Sequence, residues 1–525
     1  MKIATSRDSK RLDESVIADY GVSQAVLMEN AALAARSVAE KQWGVRGREV
    51  LVVCGIGNNG GDGCALARLL YAQGAAVTLL IAGESRRMRG AAAENYAIVE
   101  RLPLEILSLG TGDHPAILNQ LDIDRFDYVV DALFGTGLSR EITGRMAALV
   151  NTLNHHRSPI LSLDIPSGVD SDTGAILGCA IQAQATISFG VLKQGNLLFP
   201  GYALGGTLYH SEISFPPEMY EELLVETNVP PALPSRHAAG HKGSFGKVLI
   251  IGGSAQYAGA PTLAAQAALR CGAGYARLAL PAPLCSRIFP LVPEAVFLPQ
   301  HGSVLSLDHL ENLVEQAEAS NAVVLGPGIS TDPSSAELTR QLLTRISVPL
   351  VIDGDGLTAL AGHEELTRER HAQTILTPHP GEMARLLGSS VSEVEARRLD
   401  TAREAADRYG ALVALKGAHT VICTPQGREW INLTGNAGMG TAGSGDVLAG
   451  MTAALLARSD SFEEGCSDAL RLAVHLHGRA GDVAAEELGE DGITASDLVK
   501  SLPKAFLVHE EERLNQPLYQ RIHPV

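Results

Sequence analysis

The run Asn436-Ala-Gly-Met-Gly-Thr-Ala-Gly-Ser-Gly-Asp446 places one carboxylate directly behind a stretch of small residues, at the head of an apolar segment, Val447 to Leu456, that reads as a helix. Glycines let the backbone approach an anion closely, and the first N–H groups of a helix point at it with the positive end of the macrodipole behind them. An aspartate in the same place repels a resting phosphate. Its chemical use there is to take a proton from a hydroxyl about to attack that phosphate. A capping role is the plainer alternative, and the density of glycines weighs against it.

Further residues of this kind precede the run. Lys416-Gly417-Ala418-His419-Thr420 puts a lysine in a glycine turn between two strand-like segments, suited to a phosphate as a point charge, or else to a solvated hairpin tip. Thr377-Pro-His379-Pro-Gly-Glu382 holds a His and a Glu in directions fixed by proline, a pattern that also serves as a plain structural turn. Gly252-Gly253 with Tyr257 to Pro261, Gly326-Pro-Gly328, and Asp353-Gly-Asp355-Gly each end a strand-like run with small or acidic residues.

The first half has its own glycine loop. Gly55-Ile-Gly57-Asn58-Asn59-Gly60-Gly61-Asp62-Gly63 contains GxGxxG between a strand and a helix, which alone suggests a dinucleotide cofactor. Asp62 argues against that simple form, because it lies where a pyrophosphate would sit. Asn58 and Asn59 add carbonyl oxygens, hard donors suited to an alkali or alkaline-earth cation. Two more acidic loops, Asp131 to Glu141 and Asp164 to Asp170, follow later strands. In an open parallel sheet such loops meet at one crevice. Asn59, Asp131 and Ser167 can then share a cation while Asp164 and the Gly135–Glu141 loop face a ligand; turn chemistry explains each loop singly.

The elements that must position these residues are of one class. Strand-like segments at Glu49–Cys54, Ala76–Ile81, Tyr128–Leu133, Ile160–Asp164 and Ala185–Phe189 alternate with helical stretches such as Gly63–Gln73, a doubly wound parallel α/β pattern. After a proline-rich stretch the pattern restarts at Lys247–Gly253, Tyr275–Pro281, Ala322–Gly326, Leu350–Asp353, Thr374–Thr377 and Leu412–Lys416, with a hairpin at Thr420–Cys423 and Glu429–Leu433. The expected organisation is a Rossmann-like domain over 1–220, a linker over 221–239 and a second α/β/α domain over 240–510. At 525 residues the chain is long enough for two cores. The net charge of −17 disfavours nucleic-acid and anionic-membrane partners. Seven cysteines without a CxxC pair read as reduced core thiols, and the N-terminus lacks the apolar region of a signal peptide, so the cytoplasm is the expected address.

Leu12-Asp13, Leu27-Met-Glu-Asn-Ala-Ala32, the Asn58–Asp62 loop, Asp131–Leu138 and Asp164–Gly168 together resemble the epimerase domain for hydrated nicotinamide dinucleotides, NAD(P)HX. The resemblance implies that Asn58, Asn59, Gly60, Gly61, Asp62, Gly135, Thr136, Gly137, Leu138, Ser139, Arg140, Glu141 and Asp164 contact the hydrate. It also implies potassium on Asn59, Asp131 and Ser167, and makes Asp164 the candidate acid–base. Ala32 stands where that family usually has glycine. From Gly240 to Leu502 the chain resembles the ADP- or ATP-dependent NAD(P)HX dehydratases of the ribokinase-like superfamily. That likeness implies that Ala260, Gly328, His379 and Asp446 contact the hydrate, and that Lys416, Gly417, Ala418, His419, Thr420 and Gly445 hold the nucleotide, expected to be ADP with magnesium. Asp446 would be the base. Ala437 and Gly440 depart from the usual Pro and Ala of that loop.

The expected protein is therefore a bifunctional repair enzyme acting on NADHX and NADPHX, soluble and homo-oligomeric. Two rivals are a ribokinase-like metabolite kinase, which leaves phosphate on its product, and a first half that is only a binding module.

Overall fold

The computed structural model describes residues 1–109, 122–515 and 522–525, and the chain separates into two compact units, Met1–Val225 with Tyr519–Val525, and Glu226–Leu518. The first unit carries an eight-stranded sheet in the order Ile522–Pro524, Thr207–Ser211, Ala185–Phe189, Ile160–Leu163, Tyr128–Ala132, Glu49–Cys54, Ala76–Ile81, Glu105–Ser108. Every neighbouring pair is parallel. Val50–Cys54 and Tyr128–Ala132 are buried throughout, as strands covered on both faces must be. On one face the alanine-rich helix Gln24–Trp43 and the helix Asn58–Ala72 pack through Ala31, Ala35, Cys64 and Leu66; on the other, Leu149, Val150 and Leu153 of Gly144–His155 meet Leu51, Val53 and Val129.

Glu49–Cys54 lies between Ala76–Ile81 and Tyr128–Ala132, so the sheet grows in both directions from it. The crevice beyond the carboxyl ends at such a switch point is where open α/β sheets bind ligands. Asn58–Asp62 and Asp131 emerge there.

The second unit repeats the logic with strands in the order Val296–Gln300, Tyr275–Pro281, Lys247–Ile251, Ala322–Leu325, Leu350–Ile352, Thr374–Leu376, Leu412–Leu415, Val421–Cys423, Glu429–Ile431. The first seven run parallel and the last two pairings are antiparallel, forming the expected hairpin. Helices Gly259–Arg270, Ser444–Leu456, Cys466–Leu488 and Ala495–Asn515 share one large core with the sheet. The first two cross so closely that a Cβ on Gly450 would lie 2.1 Å from the Ala264 carbonyl oxygen. That contact fixes where the head of Ser444–Leu456 points. Both units are thus α/β with largely parallel sheets.

Two helices begin earlier than their sequences suggest. The expected start at Gly63 moves to Asn58, and that at Val447 moves to Ser444, so Asn58–Asp62 and Asp446 sit in first turns and not in loops ahead of them. Glycine lowers helix propensity, but tertiary contact overrides it here: a Cβ on Gly60 would meet the Gly55 carbonyl oxygen at 2.0 Å, and one on Gly61 the Ala92 Cα at 2.7 Å. Gly60 and Gly61 therefore have a packing reason besides any contact with ligand. Among the described residues no helix is long and apolar enough to cross a membrane.

Candidate active sites

In the first unit Asp164 follows the strand Ile160–Leu163 in a left-handed conformation, φ +71°, with its N–H donating to the Ile187 carbonyl at 2.7 Å. Its Oδ1 accepts from the ammonium of Lys193, a lysine only 3% exposed that also donates to the Phe189 carbonyl at 2.7 Å. Asn196 donates to the Asp164 carbonyl at 3.2 Å, completing the clamp. The other oxygen, Oδ2, faces the loop after Tyr128–Ala132: a Cβ on Gly135 would lie 3.4 Å from it and 3.3 Å from Asn59 Cβ. Asn59, Gly135 and Asp164 are thus brought together. Asp62 joins them electrostatically: burial pushes its carboxyl well above the usual range, Asp164 and Asp13 push it further, and Lys193 opposes. Thr136 is tied in through its carbonyl, which accepts from Ser171 at 3.5 Å. Asn58, Gly137, Ser139, Arg140 and Glu141 are exposed, with Leu138 half-buried between them.

Beneath this lies the proposed cation set. Asp131 is fully buried; its carboxylate accepts from Ser162 Oγ at 2.8 Å, from Ser167 N at 2.9 Å and Oγ at 2.6 Å, and from Leu133 N at 3.2 Å. Burial raises its pKa and these four donors oppose the shift. Asn59 is 8% exposed, and neither its amide oxygen nor its nitrogen has a hydrogen-bond partner. An unsatisfied buried polar group costs about 1–3 kcal/mol. The orphaned Asn59 amide oxygen is a donor that a hard, weakly hydrated cation would satisfy, whereas the Asp131 oxygens already accept from Ser162, Ser167 and Leu133. Among the described residues no group of three or more His, Cys, Asp or Glu side chains could hold a metal ion.

In the second unit the carboxyl ends of Leu350–Ile352, Thr374–Leu376 and Leu412–Leu415 deliver Asp353, Thr377 and Lys416 side by side. Lys416 donates to Asp353 Oδ1 at 2.7 Å and lies 3.8 Å from Glu382 Oε2; Thr377 Oγ1 also donates to Asp353 Oδ1 at 2.8 Å. Burial works against the Lys416 charge, but Asp353, Glu382 and Asp446 outweigh it and raise its pKa. A Cβ on Gly445 would sit 2.9 Å from the Lys416 ammonium, and one on Gly443 4.0 Å from Asp446 Oδ2, so the glycine run, the lysine and the aspartate share one site. The hydrate-contact candidates join from the other side. A Cβ on Gly443 would touch Leu263 Cδ1 at 2.5 Å, one turn from Ala260, and one on Gly328 would lie 3.5 Å from Ala260 Cβ.

His379 caps the helix Pro380–Leu387, its Nδ1 accepting from Gly381 N at 3.0 Å, while Glu382 Oε2 accepts from His379 N at 2.8 Å. The structural-turn role is therefore real, yet the half-exposed imidazole remains open to a ligand. Behind the Lys416–Thr420 turn, buried Arg398 donates to the Leu415 and Lys416 carbonyls at 3.1 and 3.2 Å; Gly417 and Ala418 are exposed, His419 is buried, and Thr420 Oγ1 donates back to the Gly417 carbonyl at 3.2 Å. His477, from the helix Cys466–Leu488, lies 3.0 Å from the Ser444 carbonyl and is pushed down to about 4 by burial, a neutral brace for the head of the Asp446 helix.

Asp446 itself is pushed up to about 7, first by burial, then by Asp353, with Lys416 opposing. A base must be unprotonated to act, and kcat/KM reports the free enzyme. Second-site kcat/KM is therefore expected to fall tenfold per pH unit below about 7, as Asp446 takes up its proton. A flat profile down to pH values near the ordinary aspartate range would show that Asp446 is not the base.

Lys193, Asp353, Glu382, Arg398 and His477 were not singled out as site residues from sequence. Asp353 and Glu382 carried a signal, the first directly after a strand and the second in the proline-flanked motif that opens the helix Pro380–Leu387; Lys193, in an apolar run, and His477, mid-helix, carried none.

A family model described as NAD(P)H-hydrate dehydratase matches residues 248–504, and one described as YjeF-related protein N-terminus matches residues 24–195. The bifunctional NAD(P)H-hydrate repair enzyme Nnr of Thermofilum pendens is 44% identical over 517 residues, covering 98% of this chain and 97% of that protein. The chain belongs to the bifunctional NAD(P)H-hydrate repair enzymes. The Moorella thermoacetica member of this family is 39% identical over 525 residues, covering 98% of each chain. A crystal structure of the ADP/ATP-dependent NAD(P)H-hydrate dehydratase from Bacillus subtilis, co-crystallised with ATP/Mg2+, is 31% identical with a TM-score of 0.45, covering 53% of this chain and 95% of that one. In this repair-enzyme chain both strand-end clusters lie within or beside the matched segments.

Proposed function

We propose that the chain repairs hydrated nicotinamide dinucleotides in two steps. The first unit interconverts the R and S forms of NADHX and NADPHX. The second dehydrates the S form with ADP, giving NAD(P)H, AMP and phosphate. The observation that carries the second step is the meeting of Asp446, Gly445 and Lys416 at a helix N-terminus, a base set against an anion cradle.

Hydroxide is a poor leaving group, so the 6-hydroxyl must first be activated. Asp446 removes the hydroxyl proton and the oxygen attacks the terminal phosphorus of ADP, expelling AMP. Lys416 and the N–H groups at the head of Ser444–Leu456 hold the transferring charge. The C6–O bond then breaks with departure of phosphate, the ring nitrogen supplying the electron pair, and loss of a proton from C5 restores the dihydropyridine. Magnesium accompanying the nucleotide, beside the carboxylates of Asp353 and Glu382, would supply charge neutralisation on the phosphates. In the first unit Asp164, aimed by Lys193, serves as acid–base at C6, and potassium on Asn59, Asp131 and Ser167 would supply positive charge beside the dinucleotide. The free thiols of all seven cysteines suit a reducing compartment, which supports the cytoplasm as the place of action.

Product analysis tests the proposal. Incubation with S-NADHX and ADP is expected to release AMP, inorganic phosphate and NADH in equal amounts. Phosphate retained on an organic product would instead identify a metabolite kinase.

A further inference from the structure

Arg398 is the first residue of the helix Arg398–Tyr409, the end at which a cation opposes the macrodipole, and it is only 4% exposed. A guanidinium is unfavourable in such a place unless hydrogen bonds hold it, so its partners show what it is for. Its Nη1 donates to Glu395 Oε2 at 2.9 Å, and its Nη2 donates to the carbonyls of Leu415 and Lys416 at 3.1 and 3.2 Å. Its Nε has no partner among the described residues, which leaves these as the bonds of the whole group. A Cβ on Gly417, whose φ is +144°, would lie 2.8 Å from Nη2 and 2.9 Å from Nη1, so the guanidinium lies directly against that glycine.

The peptide bonds of this turn are trans, so each carbonyl points opposite to the N–H of the residue that follows it. The Leu415 carbonyl faces Arg398, and on the other side of that peptide Lys416 N donates to the Pro378 carbonyl at 2.8 Å. The Lys416 carbonyl also faces Arg398, which sends the Gly417 N–H the other way. The Gly417 carbonyl accepts from Thr420 Oγ1 at 3.2 Å, and the Ala418 N–H is turned away from it in the same manner. Gly417 and Ala418 are exposed, and among the described residues neither N–H has a hydrogen-bond partner. Successive free N–H groups make a concavity for an anion.

On the ADP-dependent dehydration proposed above, we propose that Arg398 is a positioning residue for the nucleotide. It holds the carbonyls of Leu415 and Lys416 inward, so that the Gly417 and Ala418 N–H groups, together with the Lys416 ammonium, take the phosphates of ADP. Arg398 itself touches no ligand, because it lies behind the turn with its donors committed to Glu395 and the two carbonyls. Gly417 is needed for closeness as well as for its backbone conformation: a side chain there would push the guanidinium off the turn. N–H groups fixed before the ligand arrives bind an anion without first losing conformational freedom.

The test uses the full chain and reads the Kd for ADP with magnesium by calorimetry, so no turnover is needed. Arg398→Met is expected to weaken ADP about tenfold or more, the loss that follows when hydrogen bonds to a charged group are misaimed. KM for S-NADHX at saturating ADP should stay within about twofold, since the hydrate is not held by this turn. Arg398→Lys keeps the charge and one bond to the turn, should lose about three- to tenfold, and decides alone if Arg398→Met does not melt cooperatively. Gly417→Ala keeps the charge but displaces the guanidinium, and should weaken ADP as well. ADP affinity within about twofold of wild type in the folded arginine variants overturns the proposal. A KM for the hydrate that rises in step with the Kd overturns it too, as the mark of a generally loosened unit, and so does wild-type affinity in Gly417→Ala, which would leave only the charge at work. Wild-type protein that binds ADP but forms no NADH from S-NADHX overturns the dehydratase function, and Arg398 is then judged on the Kd values; wild-type protein that binds no ADP overturns both.

Discussion

Asp446→Asn is expected to lower ADP-dependent dehydration by between about 10² and 10⁴ in kcat, the range general-base removal commonly costs, while epimerisation by the same preparation stays within twofold. The amide keeps the shape but cannot accept the hydroxyl proton. A second, opposite effect should accompany it. The Asp446 carboxyl is raised from 3.8 to about 7 in the folded protein, so its contribution to stability is complete below the unfolded value and is lost as pH rises through the folded one. At about pH 8 the wild-type chain therefore carries an unfavourable charge that asparagine removes. The variant should melt higher than wild type there, with the difference shrinking towards acid pH. Loss of activity together with a lower melting temperature at every pH would mean that Asp446 is a structural cap and not a base.

Asp164→Asn is expected to bring a comparable loss to epimerisation, but through two causes that must be separated. It removes the acid–base, and it leaves the buried Lys193 ammonium without its carboxylate. Breaking one side of a buried pair costs about 3–5 kcal/mol, largely for the stranded charge. Replacing both partners by neutral groups is far milder. The double variant Asp164→Asn with Lys193→Met should thus recover most of the melting temperature lost by the single one, yet none of the epimerisation rate. Recovery of activity along with stability would show that Asp164 only balances Lys193. Dehydration should be intact in the double variant, because Asp164 and Asp446 belong to different units.

Much of the architecture was legible from apolar runs. Glu49–Cys54, Ala76–Ile81, Ala185–Phe189 and Tyr275–Pro281 form strands at the expected bounds, because a strand covered on both faces must be apolar throughout. The edge strands Glu105–Ser108 and Val296–Gln300 escaped for the converse reason: they are part exposed and mix polar with apolar residues. Single chemical residues, Asp164 and Lys416 at strand ends and Asp446 at a helix head, stand out because small neighbours surround them. Their partners do not. Lys193 sits among Val191 and Leu192 like any interrupted core segment, and only the fold turns its ammonium onto Asp164.

The strand Ile522–Pro524 on the edge of the first sheet has a temporal consequence. Thr207–Ser211 is synthesised before the whole second unit, and its outer hydrogen-bonding edge meets its partner only after that unit has been made. A nascent or truncated first unit therefore presents an open parallel edge, with the seat of Ile522 empty, to any extended chain nearby. Joining the two activities in one polypeptide thus does more than pair their chemistries: it ties completion of the epimerase to completed translation of the dehydratase.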